Sequence, residues 1–227
     1  MRRSHQPALK GTAGTLLRAE AFEARLADWE ALPARRAVRP LLSFLCSPEE
    51  ILRWRAVRAL GVVVARLAAE DLESARVVIR KLMWSLAEES GGFGWGAPEA
   101  MAEIMARHEG LAREFGHVLL SYVRDDGNRL DSDLLLRGAV WGLGRLARAR
   151  PGLLPDCARH LEPFLGSGDA ALRGLASWAL SGIGWTPSPA QAEALRGDHA
   201  EFLLYAGGAL VTRRVCDAAT RAVDVWP

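Results

Sequence analysis

Apolar residues recur along this 227-residue chain at helical spacing. Leu52, Ala56, Ala59, Leu60 and Val63 fall on one side of a helix, and Leu135, Ala139, Gly142, Leu143 and Leu146 repeat the arrangement. Charged and polar positions separate these stripes. No stretch alternates apolar and polar residues with period two for long enough to read as a strand, so an all-α fold is expected.

Laid against itself, the chain shows an internal repeat. AVRALG from Ala56, APEAMA from Ala97, AVWGLG from Ala139 and ASWALS from Ala176 share a pattern of Ala, two variable positions, a small residue, Leu or Met, and a small residue. AGGALV from Ala206 reads as a weaker fifth copy, and successive starts lie 41, 42, 37 and 30 residues apart. Upstream of the first four stand PLLSFL from Pro40, VIRKLMWSL from Val78, GHVLLSYV from Gly116 and CARHLEPFL from Cys157. Each unit is therefore expected to be a helix, a turn and a second helix. CSPEE from Cys46, RDDGNRLDSD from Arg124 and GSGDAA from Gly166 carry the Pro, Asp and Ser residues that start helices, with Asp169 an expected N-cap.

On these segments the chain resembles HEAT-like repeats, the α-solenoid class that includes armadillo-type and bilin-lyase-type arrays, from about Arg36 to Ala222. It departs from the commoner pattern in lacking a recurrent Pro in the first helix and in its uneven unit lengths. The resemblance implies a right-handed α-solenoid of about five helical hairpins. A single domain over residues 18–227 is expected, preceded by a loosely held basic tail over residues 1–17.

The side of the second helices opposite the apolar stripe has its own composition. In successive units it reads Trp54, Arg58 and Val62; Trp95, Glu99 and Glu103; Arg137, Trp141 and Arg145; and Gly174, Trp178 and Gly182. Second helices of such arrays line the concave side, so the resemblance implies a groove lined by this column. Exposed indole and guanidinium groups supply large contact area and rigid donors, the composition of binding hot spots. Packing of the same rings into gaps between repeats is the competing reading.

The segment from Trp84 to Ala106, WSLAEESGGFGWGAPEAMAEIMA, occupies the turn of the second unit. Its G-F-G-W-G spacing resembles a phosphate loop, but it follows a helix rather than a strand, and Glu88 and Glu89 would repel phosphate. Phe93 and Trp95 are expected to anchor the loop, presenting Glu88, Glu89, Glu99 and Glu103 near the groove, where four carboxylates suit a metal or basic groups of a partner; solvated acids that cap helix ends are the favoured reading. Ala97, Pro98 and Glu99 open the next helix with Pro and an acid in its first turn.

Composition narrows the function classes. A net charge of +2 gives no overall field for a phosphate backbone. Arg far outnumbers Lys, which occurs only at Lys10 and Lys81. Cys46, Cys157 and Cys216 form neither a disulfide framework nor a paired metal motif. His5, His108, His117, His160 and His199 are scattered without zinc spacing, no G-x-S-x-G elbow occurs, and Cys157 with His160 reads as helix packing. No apolar run reaches the length of a membrane span. A cytoplasmic, non-catalytic scaffold gripping a protein or peptide segment is the expected function, with no cofactor and no metal, as a monomer or weak homo-oligomer. DNA binding as in HEAT-like glycosylases and small-ligand binding as in bilin lyases are the alternatives. The terminal RAVDVWP, with Trp226, is expected to cap the last unit or to swap onto another subunit.

Overall fold

The computed structural model describes residues 5–87 and 94–218, with side chains from Lys10 onward. These residues are mostly helical and divide into two compact units, residues 1–112 and 113–227. The first holds α1 (His5–Leu17), a 3-10 turn (Glu23–Trp29), α2 (Ala34–Phe44), α3 (Glu50–Glu70), α4 (Leu72–Ala87) and α5 (Ala97–Arg107). The helix α6 (Glu109–Ser121) begins at its end. The second holds α7 (Asp133–Ala149), α8 (Cys157–Leu161) running into a 3-10 turn (Glu162–Gly166), α9 (Ala170–Gly182), α10 (Pro189–Gly197), β1 (Glu201–Ala206), β2 (Ala209–Arg214) and α11 (Val215–Ala218).

In the first unit α3 is the central rod, packed against α2, α4 and α5. The expected stripe of Leu52, Ala56, Ala59, Leu60 and Val63 is buried, but so are Val57, Val62 and Val64, because the helix has neighbours on several sides. Burying one such Leu contributes about 1.5–3 kcal/mol. A Cβ on Gly61 would stand 2.5 Å from Glu103 Cγ and 3.1 Å from the Glu103 carbonyl, so this glycine sets how closely α3 and α5 approach. Gly61→Ala is expected to lower the free energy of unfolding by about 1–3 kcal/mol, read from urea unfolding curves.

The N-terminal residues differ from expectation. His5–Leu17 is helical, and Ala13, Leu16 and Leu17 are buried, so most of the anticipated tail is part of the unit. Arg55 of α3 donates to the carbonyls of Leu17 at 2.7 Å and Ala19 at 3.1 Å, where α1 ends. The same guanidinium stacks on Phe22 at 5.3 Å.

In the second unit α7 packs along α9. Asp169 is the N-cap of α9 as anticipated, accepting from the Ala171 amide at 2.9 Å. Gly144 lets the helices close, since a Cβ there would meet the Trp178 ring at 2.6 Å and Ala179 Cβ at 2.8 Å.

The all-α expectation is corrected beyond α10. AGGALV is not a helical copy: β1 and β2 pair antiparallel, with Ala206 opposite Ala209 around a Gly207–Gly208 turn. Both glycines have positive φ, 58° and 83°. A two-residue turn of that hand suits the right-handed twist of paired strands and is open to Gly-Gly. Phe202, Leu204 and Tyr205 of β1 are buried, and β1 lies on α9, where a Cβ on Gly174 would strike the Phe202 ring. Helical pairs are present in both units, but the described strands after α10 form a hairpin rather than a fifth helical pair. The terminal segment with Trp226 lies outside the described residues.

Candidate functional site

The Trp, Arg and Glu column does not form one accessible strip, and five of its members are corrected from surface to interior. Trp141 and Trp178 are 1% and 0% exposed. Their rings stack on each other at 6.3 Å and 15°, and the Trp141 indole N–H donates to the Tyr205 carbonyl at 3.3 Å. Arg148 covers Trp178 at 4.0 Å and donates to the Trp178 carbonyl and, at 3.0 Å, to Ser181 Oγ. The face left open by helical spacing is thus closed by α9 and by the hairpin. Arg145 is buried on the same helix. Arg137 stays half-buried, its Nε donating to Asp169 Oδ2 at 2.6 Å, so it holds the start of α9.

Arg58 and Glu103 are also internal, 1% and 0% exposed. Arg58 donates twice to Glu23, at 3.1 and 2.7 Å, and a third time to Glu103. Arg107 Nε donates to the same Glu103 oxygen at 2.9 Å. Two guanidinium and two carboxylate groups thereby tie the 3-10 turn, α3 and α5 together, which is how charged side chains are carried into a core.

What remains partly accessible in the first unit is Trp54 and, around Arg53, Trp95 and Glu99. Trp54, Trp95 and Glu99 are half-buried, as is Arg53. Gly96, at φ 70°, turns the backbone into α5 against Leu45 and Val57, with Ala97 and Pro98 buried beneath. This places Trp95 just before the helix and Glu99 in its first turn. Arg53, from the first turns of α3, lies over the Trp95 ring at 5.6 Å. Its Nη1 donates to the Ser47 carbonyl at 3.0 Å and its Nη2 faces Glu50 at 3.8 Å.

Glu99 has a different environment. Its Oε2 is sealed from solvent and accepts no hydrogen bond among the described residues. Burial pushes its carboxyl up to about 7; the Arg53 charge opposes the rise and that of Glu50 adds to it. Because the folded-state value lies above the usual carboxylate range, the native protein holds an extra proton below it. Stability from this group is fully present below the ordinary carboxyl value of 4.5 and is lost as pH rises from there to about 7. Glu99→Gln is expected to gain on the order of 2–3 kcal/mol over wild type between pH 5 and pH 8.5. Urea unfolding of both proteins across that range measures it; parallel pH profiles would contradict it.

The loop residues Glu88, Glu89 and Phe93 lie outside the described residues. Arg53 and Glu50 were not anticipated at the site, although Arg53 stands one turn after Glu50 and beside Trp54 in the sequence. Trp84 is 73% exposed on α4, with exposed Val77 two turns earlier, which makes it the most exposed large apolar side chain described. Cys157 is buried, its thiol pushed up to about 12 by that burial, and His160 accepts from Arg159 at 3.1 Å rather than facing the thiol. Among the described residues no helix is long and apolar enough to cross a membrane.

The sequence profile of the HEAT-like repeat matches residues 133–182, which span α7 to α9. An uncharacterized protein of Archaeoglobus fulgidus is 30% identical over 145 residues, covering 63% of this chain and 73% of the relative.

Proposed function

The chain belongs to the HEAT-like repeat family, and we propose that it is a non-catalytic interaction module that binds a protein or peptide segment. The contact surface in this reading is Trp95 with Arg53 and Glu99 in the first unit, together with half-buried Trp54. One observation carries it: the half-buried Trp95 indole, just before the start of α5, carries the Arg53 guanidinium on its ring at 5.6 Å, and the same guanidinium faces Glu50 at 3.8 Å. Aromatic and Arg side chains with polar neighbours are what protein partners use as anchors. Arg58, Glu103, Trp141, Arg145 and Trp178 belong to the framework, and Arg137 secures α9, so none of them is assigned a partner contact.

Affinity capture with the full chain from extracts of its source cells tests the reading. Trp95→Ala combined with Arg53→Ala is expected to reduce recovery of the enriched protein at least tenfold without loss of helical signal. Equal recovery by wild type and variant overturns it.

A further inference from the structure

Glu99 carries one feature that neither the fold nor its neighbours use. A buried carboxylate oxygen normally accepts a hydrogen bond, and one left without a donor marks either a strained site or a missing group. Glu99 Oε2 is such an oxygen among the described residues. Arg53, the cation whose charge acts on Glu99, donates to the Ser47 carbonyl, faces Glu50 and lies over the Trp95 ring rather than donating to this oxygen. Glu103, one turn further along α5, accepts from both Arg58 and Arg107 at Oε1. Glu99 Oε2 is thus an acceptor without a donor among the described residues, close to the guanidinium that stacks on half-buried Trp95.

We propose that Glu99 is the anchor point for a lysine or arginine side chain of the bound segment, which donates to the Glu99 carboxylate beside Trp95. The inference rests on the interaction reading and names the chemistry of its partner: a basic segment. The cation supplies the missing donor and favours the ionised carboxylate, so seating it releases the proton that burial retains near neutral pH. The Trp95 ring already accepts one guanidinium, so a second cationic or planar group has an apolar wall to lie against. Acidic segments are disfavoured, because Glu50 stands with Glu99 around Arg53.

The test uses the full chain and small probes, propylguanidinium chloride and butylammonium chloride at 50 mM, against potassium chloride at the same ionic strength. Carbon-13 NMR follows the Glu99 carboxyl through pH 5 to 9, with exposed Asp125 as reference for unspecific pairing. Either probe is expected to lower the Glu99 titration midpoint by at least one pH unit more than that of Asp125, and to shift the Trp95 indole resonance. In Glu99→Gln the indole shift disappears while the remaining spectrum is kept. A Glu99 midpoint that moves no more than Asp125 overturns the proposal, including the case in which Arg53 itself swings onto the ionised carboxylate. The capture experiment does not depend on these probes, so loss of the lysine or arginine contact and loss of the binding surface give separate results.

Discussion

Glu103→Ala lowers the free energy of unfolding by about 3–5 kcal/mol, the loss expected when one member of a buried ionic network is removed and the others stay. Glu103 is fully enclosed and accepts from both Arg58 and Arg107, so its removal takes one of its carboxylate partners from an Arg58 guanidinium that is 1% exposed. Arg58→Ala has a similar effect for the mirrored reason. Removing both leaves Glu23 and Arg107, whose side chains are 18% and 28% exposed and reach water. The double variant is therefore expected to lose less than the two single losses combined, by more than 1 kcal/mol. Urea unfolding of the four proteins at pH 7 measures the coupling; strict additivity would show that the network is not one unit.

The second large effect separates the two kinds of tryptophan. Trp141→Ala is expected to destabilise by about 3–5 kcal/mol, because the ring is enclosed between Trp178 and the hairpin. Amide exchange in β1 and β2 should accelerate with it, as the indole donor to Tyr205 is lost. Trp95→Ala, at a half-exposed position, is expected to change stability by no more than about 0.5 kcal/mol. A reversed order, with Trp95 costly and Trp141 mild, would mean that the indole column faces outward after all.

The helical pairs were legible because burial against one neighbour writes a stripe at the helical period, and the stripes around Leu60 and Leu143 are indeed buried. The helix starts at Glu50, Ala97 and Ala170 were legible from Pro48, Pro98 and Asp169. Periodicity says nothing about a second neighbour, however. On α7 nearly every residue from Leu136 to Ala147 is buried except Arg137, since both α9 and a hairpin some 64 residues away in sequence close the other side. Spacing alone therefore placed Trp141 on the surface. Arg58 and Glu103 misled for another reason: charge is read as exposure unless the matching charge is known, and Glu23 lies 35 residues from Arg58. The hairpin had a visible signal, Gly207–Gly208 between two runs of β-forming residues, which the repeat pattern of AGGALV overrode. Of the residues proposed for partner contact, Trp54, Trp95 and Glu99 stay half-buried, and Arg53, one position before Trp54, falls off the fourfold spacing that defines the column.

The hairpin also bears on engineering. Repeat arrays are lengthened by adding units to an open flank, and arrays that must stay soluble close that flank with a dissimilar element. Here the outer flank of α9 carries Phe202 and Tyr205, and Gly174 has no side chain that would keep them off. An extra helical pair grafted after Gly182 would find its seat taken, whereas one grafted in place of residues 189–218 would inherit an apolar bed shaped for aromatic rings.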